Sequence, residues 1–307
     1  MALKAIHDVA APAKINLFLH LIGRRSDGYH LLQSVFVLID WADALHFESR
    51  DDSQLQRHDL STTLPPEDLC LRAARALQSQ SGTRQGADIS IDKQVPWGAG
   101  LGGGSSDAAA VLLALNRLWG LNWPLSRLMT LGLELGADVP FFLAGHNAFV
   151  EGIGEQLTPL SLPRLWLAVI KPAASIETRA IFASPLLVRN TEPVILESLS
   201  ARGREGGDDS PAQAGGEAGL ESLLGGFGRN DLQGAAQAVC VEVVEAAELL
   251  QARFGNSRMT GSGSAVFARA GSDAKPAAAL PVHMAPGWAG RMCHSLEHHP
   301  LLGWASD

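Results

Sequence analysis

The order of apolar and polar positions predicts a chain in which strands and helices are mixed. Residues 13–22 and 34–47 are rich in apolar and β-branched side chains and read as two strands, with the turn-like 23–28 as an extended hairpin connection. A helix is predicted over 66–78, where Leu69, Ala73, Ala76 and Leu77 recur at helical spacing, and 87–95 alternates as a strand. A glycine-rich run follows. Beyond it Ala108, Val111, Leu112, Leu115, Leu118 and Trp119 make one wide apolar helix face. Ser105 or Ser106 can cap that helix, and Asp107 can complement its dipole. A second helix is expected over 125–135, up to Gly136. Further on, 165–170 is a buried-strand candidate, 266–268 is strand-like, and 233–254 is the longest helical pattern. The segment 202–219 lacks large apolar side chains and is crowded with Gly, Asp and Glu, so it is expected to be a mobile surface loop.

The 307 residues exceed what one core usually holds. Two domains are expected, 1–157 and 158–307, with a cleft between them as the first place for a site. The apolar stretches are too short for a bilayer span, and residues 1–8 lack the basic-then-apolar pattern of a secretory signal. Cys70, Cys240 and Cys293 are far apart and form no Cys-x-x-Cys pair, which predicts buried, reduced thiols in a cytoplasmic protein. The net charge of −8 argues against a nucleic-acid partner and leaves room for a small anionic ligand held by local cations and backbone donors.

Candidate chemistry begins in the run Pro96, Trp97, Gly98, Ala99, Gly100, Leu101, Gly102, Gly103, Gly104, Ser105, Ser106, Asp107. Five glycines in the seven positions from Gly98 to Gly104 are more than a turn requires, and before a helix they let amide groups surround a polyphosphate. Gly98, Gly100 and Gly103 also satisfy the G-x-G-x-x-G fingerprint of dinucleotide-binding proteins, but the acidic residue expected roughly 20 positions later at the end of a strand is missing. No G-x-x-x-x-G-K-[ST] loop exists anywhere. Lys14 and Asn16 share one face of the first strand, a pattern more common on a solvated sheet face. Asp138 stands on a turn between a helix and an apolar run, where an aspartate is usually a cap. The glycines of 259–265 make either a hairpin turn or a second backbone surface over the site.

Taken together, 96–109, 14–16, 135–140 and 259–265 resemble the GHMP kinase superfamily in order and spacing. Residues 12–19 (PAKINLFL) and 25–33 (RSDGYHLLQ) are similar to one branch of it, distinguished by Asp27-Gly28-Tyr29-His30. The likeness extends through 153–158 and the tail 298–301 and lapses over 202–219, where this chain carries an insertion. The resemblance implies an α+β, two-domain GHMP kinase fold: an N-terminal domain like domain 2 of ribosomal protein S5, with an uncommon left-handed βαβ crossover, and a ferredoxin-like C-terminal domain. It implies ATP-dependent phosphorylation of the 2-hydroxyl of a cytidylyl-linked methylerythritol in the non-mevalonate isoprenoid pathway. By position, Lys14 and Asp138 match the family's catalytic pair, Pro96 to Ser106 its ATP-phosphate loop, and Tyr29 and His30 its cytidine contacts. Asn16 and Thr178 match substrate-contacting positions. Tyr29 is the one tyrosine of the chain, and an aromatic face suits a pyrimidine. Mg²⁺ is expected to arrive with ATP, with Ser106 and Asp107 as its nearest candidate ligands, and no protein metal site is expected. A membrane partner is not expected, and the protein is expected to be a monomer or homodimer. A kinase for another alcohol and a catalytically silent relative are the competing readings; Asp27 to His30 oppose the first, Lys14 with Asp138 the second.

Overall fold

The computed structural model describes residues 3–195, 223–272 and 274–307. The segment 202–219, expected to be a surface loop, lies outside them. Strands β1 (Ala5–Arg24) and β2 (His30–Arg50) form a long antiparallel hairpin. Both strands outrun their predicted spans at each end. Pairing is made by backbone groups, so polar positions such as His46, Glu48 and Arg50 stay in the ladder after the apolar signal has ended. The second edge of β2 is shared between β4 (Gly86–Asp92) and β5 (Ala148–Glu151), and β5 continues to β6 (Gln156–Pro159). Strand β3 (Leu55–Asp59) pairs in parallel with β4, the two joined by α1 (Leu69–Ser81).

Helices α2 (Gly103–Leu118), α3 (Leu125–Leu135) and α4 (Val139–Ala144) lie with α1 on one face of this sheet. The pattern predicts a single apolar stripe on α2, but every residue from Ala108 to Leu115 is buried. Ala109, Ala110 and Ala114 are small enough for α1, α3, α4 and β1 to close around the helix, and alanine contributes little to an apolar stripe.

The opposite face packs Ile15, Leu17, Val35 and Val37 against Leu167, Val169 and Phe267 of a second sheet. Its strands β7 (Trp166–Lys171), β8 (Arg258–Met259), β9 (Val266–Arg269) and β10 (Ala289–His294) run antiparallel in the order β10-β7-β9-β8. In sheet numbering that is 4-1-3-2, the order of a ferredoxin-like fold. The β9–β10 connection holds no helix among its described residues, where that fold places its second. The helix α5 (Thr178–Phe182) follows β7. The helix predicted over 233–254 is two, Gln233–Val239 and Val241–Phe254, broken where Cys240 takes the extended conformation. Apolar spacing continues across the break, so periodicity does not register it. Cys240 is therefore half-buried at the junction, whereas Cys70 and Cys293 are buried as expected.

The last strand of the first sheet ends at Pro159 and the first of the second starts at Trp166, so a division after residue 157 falls inside β6. The tail then returns to the first sheet's helices. His299 N–H donates to Gly145 O, the Arg117 side chain donates to the carbonyls of Gly303 and Trp304, and Ser126 N–H donates to Asp307. His299 is 2% exposed, its Nδ1 accepts the Leu301 N–H, and burial lowers its pKa to about 4. The unfolded chain binds a proton there near pH 6.5 that the folded chain refuses until about pH 4. The contribution is thus complete above pH 6.5 and lost as pH falls, about 3 kcal/mol in all. Urea unfolding of wild type and His299→Asn, whose amide oxygen can take the Leu301 N–H, is expected to show a shallower loss between pH 7 and 4.5 in the variant.

Candidate active site

Strand β4 runs into the glycine segment, which curls because Gly98, Gly100 and Gly102 adopt φ of 63°, 73° and 72°. Space as well as conformation demands glycine here. A Cβ on Gly100 would lie 2.3 Å from the Thr260 carbonyl oxygen, and one on Gly102 would lie 3.0 Å from the Phe142 ring. Helix α2 begins at Gly103, inside the run, so Ser105 and Ser106 lie in its first turn and neither caps it. With Gly102 in the cap position no side chain claims the first amides, and they remain for an anion. Gly98 to Ser105 line a cleft of about 520 Å³ with Leu64, Leu69, Arg72, Lys93 and the exposed Trp97, while Ser106 is buried outside it.

Lys14 is fastened to this loop by its backbone, its N–H donating to Leu101 O at 2.9 Å. Its side chain is 3% exposed rather than solvated, because the face it shares with Asn16 turns toward the loop and not to water. The ammonium donates to Asn16 Oδ1 at 2.7 Å and lies 3.5 Å from Asp138 Oδ2 and 4.6 Å from the centre of the Phe36 ring. Asp138 occupies the N-cap position of α4 but makes no capping hydrogen bond, so its carboxylate is left for Lys14. Asn16 is 1% exposed and well anchored: Nδ2 donates to Ser34, and Oδ1 also accepts from the Thr260 hydroxyl and Gly261 N–H. The turn 259–265 is both a hairpin connection and a second backbone surface, since Ala265 N–H donates to Ala99 O of the loop.

A second cleft, about 670 Å³, is lined by Arg24, Asp27, Tyr29, His30, Ile153, Thr178, Arg179 and Phe182. Asp27 Oδ1 accepts the Tyr29 N–H and Gly28 takes φ of 95°, a tight turn that leaves Tyr29 59% exposed instead of packed. Burial, with the charges of Arg189 and Arg24, holds His30 below its ordinary pKa. Thr178 lines both clefts and hydrogen-bonds Ser262 at 2.7 Å. Neither Lys14 nor Asp138 is among the residues lining the two clefts: Lys14 is against Gly102 of the first, and Asp138 is beside Gly154, next in sequence to Ile153 of the second.

One cluster went unread in the sequence. Lys93 Nζ bridges Asp43 and Asp107, at 2.7 Å from the latter, and all three side chains are buried. Asp107 therefore sits inside α2, bonded to Lys93, instead of at the helix end facing its dipole. Asp43 Oδ1 also accepts the Gln94 and Val95 N–H groups, which fixes the entry to the glycine loop. Two carboxylates share one ammonium, and burial pushes Asp107 well above the usual carboxylate range despite Lys93. Asp107 Oδ1 and Ser106 Oγ are buried without a partner among the described residues. The alternation of β2 marks Asp43 as inward, but its partner is 50 residues away and no local spacing joins them. Lys93→Met strands the acids and is expected to destabilise the fold by about 3–5 kcal/mol in urea titrations. Asp43→Asn, which keeps the backbone acceptor and the Lys93–Asp107 pair, is expected to lose clearly less.

A family model described as "GHMP kinases N terminal domain" matches residues 68–146. A 4-diphosphocytidyl-2-C-methyl-D-erythritol kinase of Methylibium petroleiphilum is 60% identical over 307 residues, 99% of this chain and 100% of the relative. One of Variovorax paradoxus is 53% identical over 304 residues, 99% and 100% of the two chains. The crystal structure of a 4-(cytidine 5'-diphospho)-2C-methyl-D-erythritol kinase matches with a TM-score of 0.66 at 37% identity, covering 85% of this chain and 89% of that one. A homoserine kinase from Cytophaga hutchinsonii, TM-score 0.66 at 19% identity over 96% of both chains, shares the fold.

Proposed function

The chain belongs to the 4-diphosphocytidyl-2-C-methyl-D-erythritol kinase family of GHMP kinases, and from that membership we propose how its two clefts carry out the transfer. It is an ATP-dependent kinase that phosphorylates 4-diphosphocytidyl-2-C-methyl-D-erythritol in the non-mevalonate isoprenoid pathway. ATP lies in the glycine-loop cleft, its phosphates on the amides of 98–105 at the start of α2. The cytidylyl acceptor lies in the second cleft, its base against the exposed face of Tyr29 and the edge of His30.

Asp138 accepts the proton of the acceptor's 2-hydroxyl as that oxygen bonds to the γ-phosphorus in line; the bond from γ-phosphorus to the bridging oxygen breaks, and ADP leaves with its electron pair. Lys14 lies beside the carboxylate and offsets charge on the transferring oxygens. With its Oδ1 taken by three donors, Asn16 is assigned to holding the Lys14 ammonium. Thr178, lining both clefts, is placed at the junction between triphosphate and acceptor. Mg²⁺ brought by the nucleotide would neutralise phosphate charge, and the spare oxygens of Asp107 and Ser106 suit a hard cation. The cysteines, all free, suit the reducing cytoplasm.

The observation that carries this reading is the Lys14 ammonium 3.5 Å from the Asp138 carboxylate, beside a loop of left-handed glycines. ADP release with the cytidylyl acceptor tests it. Asp138→Asn is expected to lower kcat at least about 100-fold, with KM for the acceptor little changed. Near-normal turnover by that variant would remove Asp138 as the base. Turnover of homoserine or mevalonate in place of the cytidylyl acceptor would favour another branch of the superfamily.

A further inference from the structure

The second cleft contains a polar contact that phosphoryl transfer does not use. Arg189 Nε donates to His30 Nε2 at 3.0 Å. A guanidinium nitrogen is always a donor, so His30 Nε2 must be the bare acceptor, and the single proton of the neutral ring sits on Nδ1. Arg189 is itself held in place. Its other nitrogens donate to the carbonyls of Leu187, Phe182 and Ser184, and its segment is tied to β2 by the reciprocal Gln33–Val194 hydrogen bonds. On the other side the Phe182 ring lies 5.1 Å from the imidazole. His30 Nδ1 has no hydrogen-bond partner among the described residues, and His30 lines the cleft.

We infer that Arg189 is a positioning residue for base recognition: it locks His30 as the neutral Nδ1–H tautomer, which gives the cleft one fixed N–H donor for an acceptor atom of a pyrimidine. This deepens the placement of the cytidylyl group in that cleft and rests on it. Cytosine offers two acceptors side by side, N3 and O2, whereas uracil carries a hydrogen on N3. A donor that cannot switch to acceptor therefore pairs with the first edge and opposes part of the second, a discrimination built from one locked proton. A free imidazole would exchange tautomers and lose it. The charged groups facing the ring agree with a neutral state: Arg189, Arg24 from β1 and Arg179 from α5 line or adjoin the cleft, while Asp27 is paired with Arg25 at 2.7 Å. A second ring proton would have to point at Arg189. Burial and the Arg189 and Arg24 charges lower the His30 pKa in the same sense.

Two measurements on the full-length protein test this without relying on turnover. Long-range ¹H–¹⁵N NMR of the histidines, with His30 assigned by His30→Gln, is expected to show the Nδ1–H tautomer in wild type and a tautomer mixture in Arg189→Met. Calorimetric titration with CDP and UDP is expected to show a preference for CDP that falls roughly tenfold in Arg189→Met, with ATP affinity unchanged. Arg189→Lys, whose ammonium can still donate to Nε2, is expected to recover most of that preference. An Nε2–H tautomer in wild type overturns the inference. So does Arg189→Met that keeps the CDP preference, or that weakens CDP, UDP and ATP alike with a lower Tm. Failure of phosphoryl transfer to the cytidylyl acceptor would count instead against the proposed reaction, which these titrations do not measure.

Discussion

The site depends on holding one lysine ammonium in place where water scarcely reaches it. Lys14 is 3% exposed, and an ammonium so placed needs oxygen atoms to replace its hydration. Asn16 Oδ1 supplies one at 2.7 Å, Asp138 supplies a carboxylate at 3.5 Å, and the Phe36 ring presents its electron-rich face. Because the Lys14 N–H is also bonded to Leu101 O, strand, glycine loop and ion pair are one mechanical unit. The charge is aimed before any phosphate arrives, which is the condition under which electrostatic stabilisation of a transferring group is most effective.

The second sheet completes that unit from the other side. Gly261 N–H and the Thr260 hydroxyl converge on the same Asn16 oxygen that receives the Lys14 ammonium, and Ala265 N–H holds Ala99 O. The close approach explains why glycine stands at 100 and 261, where a Cβ at either would collide with the other's backbone neighbourhood. Beneath the loop, Lys93 with Asp43 and Asp107 fixes where β4 hands over to α2. A chain of net charge −8 can thus receive a polyanion, since Arg72 and the uncapped amides at the start of α2 lie at the cleft.

Much of this was legible in the sequence. Glycine density announced the tightly curled loop before α2, period-2 alternation put Lys14 and Asn16 on one face, and the match of distant motifs brought Asp138 to them. What stayed hidden was long-range or carried by small residues. Lys93 and Asp43 are 50 positions apart and Arg189 and His30 are 159 apart, so no local spacing links them. The alanines of α2 conceal burial on every side, the break at Cys240 leaves apolar spacing intact, and the polar ends of β1 and β2 are held by backbone pairing that side-chain pattern does not report. The place of Asn16 in a motif marks it as important, and its contacts with Lys14, Thr260 and Gly261 are visible only in the structure.

The most direct test is a crystal structure with a non-hydrolysable ATP analogue and the cytidylyl acceptor bound together. The γ-phosphate is expected over the glycine loop, with the acceptor's 2-hydroxyl within about 2.6–3.2 Å of the Asp138 carboxylate and on the far side of the phosphorus from the leaving oxygen. A hydroxyl bound away from Asp138, with Lys14 turned from both ligands, would contradict a transfer carried out by this pair.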